Sequence, residues 1–98
     1  TRLAAISRGA EGCVIVTRRD ITPVPAFEVP VVDTTGAGDA FAAGIVYGLL
    51  RRWEPARLGQ FANAMGALAV RALGARAGLP TLPEVEAFIA ASEARSPR

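Results

Sequence analysis

About a third of the way along, the chain changes character at one stretch, Val31-Val32-Asp33-Thr34-Thr35-Gly36-Ala37-Gly38-Asp39-Ala40-Phe41. Before it, short β-branched runs alternate with turns that carry Gly and Pro. After it, apolar residues recur at helical spacing. The stretch itself reads as a strand end, a glycine turn and a helix start. Thr34 and Thr35 can cap the helix by offering hydroxyls to its free N–H groups. Gly36 and Gly38 let backbone come close to a ligand. A helix N-terminus attracts anions through those N–H groups and through the macrodipole. An acid just inside it, Asp39, is out of place if the only job is to hold an anion. It makes sense if the carboxylate takes a proton from a nucleophile while the amides hold the group in transfer. From the residues alone, a tight strand-to-helix turn with a capping acid stays open as the plainer reading.

The flanks give the rest of the fold. Leu3 to Ser7 reads as a short buried strand, Arg8 to Gly12 as a turn, and Cys13 to Thr17 as a second strand pairing back as a hairpin. Ile21 to Phe27 holds Pro23 and Pro25, which suits an edge strand or an extended linker. Glu28 to Val32 is the strand that enters the glycine turn. Ala40 to Leu50 is apolar nearly all round, which predicts a helix buried on most sides. Trp53-Glu54-Pro55 breaks it, with Pro55 in the first turn of a helix that reaches Leu73. On that helix Leu58, Phe61, Ala62, Met65, Leu68, Ala69 and Ala72 form one apolar face. Thr81-Leu82-Pro83-Glu84 is a capping box. It opens a last helix with Val85, Phe88 and Ile89 in a stripe, ending near Ser92 and followed by a frayed tail. The expected class is α/β, short strands followed by three helices, in one domain at most. Such a unit suits part of a larger α/β sandwich. Alone it leaves a strand edge and helix surface bare, so self-association into a homo-oligomer is expected. The start at Thr1, without methionine and directly before a strand-like run, points to a piece of a longer protein.

Composition removes many mechanisms. The 98 residues include no lysine and no histidine. That excludes a Ser-His-Asp or Cys-His pair, a Schiff-base lysine, a histidine metal site and the lysine of a P-loop. The dinucleotide fingerprint needs a glycine where Phe41 stands. The one cysteine, Cys13, sits in an apolar run and reads as a buried, inert thiol. The net charge of +2 carries no long basic run, and the Arg18-Arg19 and Arg51-Arg52 pairs have no interleaved aromatics, so no nucleic-acid partner is expected. The longest apolar run, Ala40 to Leu50, is too short to span a bilayer. The expected setting is cytoplasmic.

The run Asp33-Thr34-Thr35-Gly36-Ala37-Gly38-Asp39-Ala40-Phe41-Ala42-Ala43-Gly44-Ile45-Val46 resembles the C-terminal signature of the PfkB-type carbohydrate kinases, the ribokinase-like superfamily, at every signature position. Ser7-Arg8-Gly9-Ala10-Glu11-Gly12 is similar to that family's Thr/Ser-x-Gly-x-x-Gly turn. The Asn63 helix, the Gly74 to Pro83 loop and the final helix are similar to the family's closing elements. The resemblance implies that residues 1–98 are the C-terminal, ATP-site portion of a ribokinase-like α/β sandwich, with the sugar-binding part upstream. It implies an ATP-dependent phosphotransferase acting on a sugar or sugar-like alcohol, with Mg²⁺. Asp39 would be the catalytic base facing the substrate hydroxyl. The amides of Gly36, Ala37 and Gly38, running into Asp39, would form the anion hole. Ser7, Gly9, Gly12, Gly38 and Asn63 would contact the nucleotide. Many relatives hold a monovalent cation such as K⁺, and the matching positions are the backbone carbonyls of Asp33, Thr35, Ala69, Ala72 and Gly74. A hydroxyl ligand found in some relatives falls near Gly78, which has none. With most of the sugar pocket upstream, the isolated chain is expected to be inactive. The alternative is a truncated, non-catalytic fragment that binds nucleotide or serves in assembly.

Overall fold

In a computed structural model the structure describes residues 3–8, 11–27, 37–71 and 80–95. Three antiparallel strands come first: β1 (Leu3–Ser7), β2 (Cys13–Thr17) and β3 (Ile21–Val24), in the spatial order β1-β2-β3. Three helices follow: α1 (Ala37–Leu50), α2 (Pro55–Arg71) and α3 (Leu82–Arg95). The expected α/β arrangement of short strands followed by three helices is what is found. The expected strand Glu28 to Val32 and the 72–79 segment lie outside the described residues.

The hairpin β1–β2 runs in register from Leu3 opposite Thr17 to Ser7 opposite Cys13. Pro23 stands in β3 opposite Val14. Proline cannot donate to a second neighbour, and among the described residues β3 is an edge of the three-stranded sheet. The strand is shorter than the expected Ile21 to Phe27, ending at Val24. β2 is the buried strand, with Cys13 and Ile15 almost fully covered. β1 is not the buried strand expected: Leu3 and Ala5 are half-buried, and Ala4, Ile6 and Ser7 are exposed. Only one face of β1 meets the helices, and alternating side chains of a strand point to opposite faces.

The two long helices exchange the roles that their apolar content suggests. α1, apolar nearly all round, buries only the stripe Ala40, Gly44 and Gly48, and leaves Val46, Leu49 and Leu50 exposed, the last at 78 %. α2, which shows a single face of large apolar residues, is buried on several sides. Leu58, Gly59, Phe61, Ala62, Ala64, Met65, Ala67 and Ala69 are all buried. The reason is position: α2 packs against the sheet, α1 and α3, whereas α1 has α2 along one side. Small residues make the α1–α2 approach close. A Cβ on Gly44 would lie 2.8 Å from the Ala62 Cα, and one on Gly48 would lie 2.9 Å from the Leu58 Cγ.

Two apolar clusters result. Cys13, Ile15, Val24 and Leu58 sit between sheet and helices, with Phe41 and Ile45 of α1 against them. Ala40, Phe61, Met65, Val85 and Phe88 join α1, α2 and α3. Fully covered side chains such as Ile15, Leu58 and Val85 each contribute roughly 1.5–3 kcal/mol.

Helix ends follow local chemistry. α1 closes in a Schellman motif: Trp53 N–H donates to Gly48 O at 3.0 Å and Arg52 N–H to Leu49 O at 3.1 Å. Arg52 takes the left-handed conformation, φ 59°, that glycine usually supplies there. Trp53 then stacks edge-on against Tyr47, with centroids 5.5 Å apart, and both rings pack on Phe61. The capping box of α3 is formed: Thr81 N–H donates to Glu84 Oε1 at 2.7 Å, and Glu84 N–H to Thr81 Oγ1 at 3.3 Å. α3 runs on through Arg95 rather than ending near Ser92. Ala90, Ala91, Ser92, Glu93 and Ala94 contain no Gly or Pro to stop it.

Candidate functional site

The described part of the signature begins at Ala37, the first residue of α1. Asp33, Thr35 and Gly36 lie outside the described residues, as do Gly9, Ala72 and Gly74. Gly38 is the second residue of α1 and Asp39 the third, both exposed. As in any α-helix, the N–H groups of this first turn lack an intrahelical acceptor. They point along the axis, out of the helix start, where the macrodipole is positive.

The glycines of α1 are not alike. Gly44 and Gly48 are small because α2 lies on them. Gly38 has nothing within 4 Å of the place its Cβ would occupy, and its φ is not in the left-handed region. Neither packing nor backbone geometry among the described residues asks for glycine there. Glycine in a helix is about 1 kcal/mol less favourable than alanine, so a small residue at this point fits close approach by something outside the protein.

Ser7 ends β1, exposed, and leads into the turn that returns to β2. Arg8 N–H donates to Gly12 O at 2.7 Å, and Glu11 N–H to Arg8 O at 3.1 Å, so the turn is closed by its own backbone. The Arg8 and Glu11 side chains meet at 2.8 Å, an exposed pair of little energetic weight. Gly12 is the fixed end of the turn. It is buried, with φ 95°, and a Cβ there would run into the Val24 carbonyl oxygen and come within 2.6 Å of Ala26 N. No other residue fits.

Asn63, half-buried on α2, reaches the same strand end. Its Nδ2 donates to Val24 O at 3.2 Å and to Pro25 O at 3.1 Å. Cys13, next to Gly12, lies under it. Burial pushes the Cys13 thiol above its ordinary range, and the Asn63 amide beside it opposes that shift. The Cys13 S–H also faces Gly59 O at 3.8 Å. This thiol is buried, as its apolar surroundings suggested.

One residue joins the two halves of the site and was not singled out in the sequence. Gly66 is three residues beyond Asn63 on α2, about 4.5 Å along the axis. A Cβ there would sit 3.7 Å from the Ala37 carbonyl oxygen and 4.0 Å from the Phe41 Cβ. One face of α2 therefore holds the strand end beside Gly12 through Asn63 and the start of α1 through Gly66. The two contacts on α2 lie about one helical turn apart. The only signal in the sequence is a glycine inside a helix, which reads equally as general small-residue packing.

Of the monovalent-cation positions, Ala69 is described, in the buried part of α2. Among the described residues no group of three or more acidic, Cys or His side chains could hold a metal ion. No helix among them is long and apolar enough to cross a membrane. A groove of about 360 Å³ lies between α2 and α3, lined by Trp53, Arg57, Gln60, Glu86, Ile89 and Glu93 among others. It begins at Trp53, just past the C-terminus of α1. That is the far end of a helix of 14 residues, about 21 Å long, from Asp39.

Comparison with known proteins meets this geometry. The profile described as pfkB family carbohydrate kinase matches residues 1–82. Aminoimidazole riboside kinase of Salmonella typhimurium is 44 % identical over 89 residues, which is 86 % of this chain and 28 % of that protein. Among solved structures, a candidate ribokinase II of Escherichia coli in complex with ATP and Mg²⁺ superposes with a TM-score of 0.84 at 33 % identity, covering 92 % of this chain and 29 % of that one. Burkholderia thailandensis nucleoside kinase in complex with inosine gives a TM-score of 0.83 at 33 % identity, covering 97 % and 32 %. The chain thus spans about a third or less of these relatives. With the signature at the start of α1 and the ribokinase-type fold around it, the chain belongs to the pfkB family of carbohydrate kinases.

Proposed function

We propose that this chain is the ATP-site and catalytic-base portion of an ATP-dependent phosphotransferase that acts on a sugar or sugar-like alcohol. The observation that carries the reading is the start of α1. There an exposed carboxylate, Asp39, follows Gly38 at a helix N-terminus, and among the described residues nothing lies within 4 Å of where a Gly38 side chain would begin. The kinases of the same family, among them one solved with ATP and Mg²⁺, support the choice of ATP as donor.

In this reading the acceptor hydroxyl lies against Asp39, whose carboxylate takes the proton as the hydroxyl oxygen attacks the terminal phosphorus. The bond from that phosphorus to the leaving phosphate oxygen breaks, and ADP departs. The backbone amides of Gly36, Ala37 and Gly38, running into Asp39, hold the oxygens of the group in transit. Positioning and charge stabilisation are most of what phosphoryl transfer requires. Mg²⁺ would supply charge neutralisation at the phosphates. Ser7, Gly9 and Gly12 would flank the nucleotide, with Asn63 on the wall behind. K⁺, if bound, would take the carbonyls of Asp33, Thr35, Ala69, Ala72 and Gly74. The acceptor pocket would lie in the part of the protein that the family places upstream, and the setting would be the cytoplasm.

Asp39→Asn in the full-length protein tests the proposal. The side chain keeps its size and loses its basicity, so kcat is expected to fall by roughly 10²–10⁴ with modest change in ATP affinity. Near-normal turnover would sink the assignment. A second reading, a non-catalytic fragment that binds nucleotide or assembles, is favoured by the exposed Ile6, Val46, Leu49 and Leu50. Calorimetry of the 98-residue chain with ATP, a coupled kinase assay on a sugar panel, and light scattering separate the two. Under the first reading the isolated chain does not turn over, while the full-length protein does.

A further inference from the structure

The first five residues of α1 are Ala37, Gly38, Asp39, Ala40 and Phe41, and only Phe41 brings a large apolar side chain. Ala37 and Ala40 belong with the cluster that joins the three helices, each through a single methyl group. Phe41 packs instead on the other cluster, Cys13, Ile15, Val24 and Leu58, between sheet and helices. Its Cβ lies 4.0 Å from the place a Gly66 Cβ would occupy, so it enters beside α2 where that helix carries no side chain. About 100° of rotation per residue sets Phe41 and Asp39 roughly 200° apart around the axis. Phe41 is half-buried, and Asp39 is exposed on the opposite side. A helix start held by methyl groups alone can roll about its axis or settle toward the core, and a ring wedged on the sheet side opposes both.

We propose that Phe41 is a positioning residue for phosphoryl transfer. By packing on the sheet-side cluster it fixes the roll of the first turn of α1, and so the aim of the Asp39 carboxylate at the acceptor hydroxyl. The inference rests on the reading of Asp39 as the base. ATP affinity depends on Phe41 far less, because the Ser7–Gly12 turn is closed by its own backbone and Gly12 is locked against Val24 and Ala26.

The test uses the full-length protein, ATP and the acceptor that gives turnover in the sugar panel. Phe41→Leu keeps an apolar side chain but loses the reach of the ring, and Phe41→Ala leaves a methyl group. At a temperature where each variant is folded by circular dichroism, kcat is expected to fall about five- to tenfold for Phe41→Leu and further for Phe41→Ala, while the Kd for ATP stays within about threefold of the parent. Unchanged kcat, or an equal loss of ATP affinity, would overturn the proposal, since general loosening does not single out the transition state. If Phe41→Ala does not fold, Phe41→Leu decides alone. A second measurement places Phe41→Leu in the Asp39→Asn protein. With no base left to aim, the substitution should lower the residual turnover by about twofold or less. The full five- to tenfold loss in that background would show that Phe41 does not act through Asp39, and would refute the assignment. If Asp39→Asn by itself turns over normally, the base reading falls and this inference with it. That result is distinct from an inactive Asp39→Asn beside a fully active Phe41→Leu, which removes the role of Phe41 alone.

Discussion

The contact between Gly44 and Ala62 is where α1, and hence Asp39, is set in place, and Gly44→Ala probes it. An added Cβ would lie 2.8 Å from the Ala62 Cα, 3.1 Å from the Met65 Cγ and 3.3 Å from the Ala62 Cβ. Carbon atoms rest at about 3.5–4.0 Å, so the axes must part by roughly 0.7–1 Å at this crossing. Met65 can turn its flexible end away, but Ala62 presents backbone. Overpacking of this kind costs about 1–3 kcal/mol. Against it stands the better helix propensity of alanine, about 1 kcal/mol. The net expectation is a loss of about 1–2 kcal/mol in urea unfolding of the full-length protein. Function should suffer more than stability. Gly44 is five residues, about 7.5 Å, from Asp39 along the same helix, so a rigid shift carries the base and the amides with it. A displacement near 1 Å at reacting groups can cost about 10²-fold. kcat is therefore expected to fall about 10- to 100-fold in protein that is still folded. Gly38→Ala is the matched comparison: among the described residues nothing lies within 4 Å of its Cβ, so stability should hold or rise, while turnover falls if a phosphoryl group must approach that backbone. A Gly44→Ala protein as stable and as active as the parent would refute the close α1–α2 contact and the argument that it places Asp39.

Arg52→Gly relieves the left-handed residue in the Schellman motif and should stabilise the protein by roughly 0.5–1 kcal/mol, read in thermal or urea melts; a loss of stability would mean that the Arg52 side chain contributes more than its strained φ costs. The Cys13 thiol has a folded pKa raised by desolvation, so the folded state holds its proton where the unfolded chain has begun to lose it. The sign follows from linkage: this contribution is fully present below the ordinary thiol range, near 9.0, and is lost as pH rises above it. The parent should thus lose stability on going from pH 8 to 10 more steeply than Cys13→Ala, and Cys13 should resist alkylation until the protein opens. Equal slopes would remove the case for a buried thiol.

Much of the fold could be read from local pattern. The β-branched run Cys13 to Thr17 and the Gly-bearing turn before it gave a hairpin, because alternation and turn chemistry act over a few residues. Pro23 put β3 at an edge by removing a donor. Thr81 and Glu84 announced the start of α3, since a capping box needs only its own four residues. The burial of the helices could not be read in the same way. α1 looks buried and is half-bare; α2 looks one-faced and is enclosed. Alanine and glycine carry no periodic signal of their own, yet Gly59, Ala62, Ala64 and Ala67 are all buried between neighbouring elements.

The candidate site divides along the same line. The chain's own order supplied the chemistry: a helix start with glycine and an acid at Asp39, and no lysine or histidine to offer another mechanism. Those features are local, fixed by which residues are adjacent. What only the tertiary structure decided is that Gly12, Asn63, Gly66 and Ala37 converge. Their separation in sequence runs from residue 12 to residue 66, and the link is a single face of α2 with two contacts one turn apart. Spacing along a chain says nothing about which of three neighbours a helix face will meet; close packing of Gly44 against α2 and of Gly59 against Val24 and Ile15 settles it.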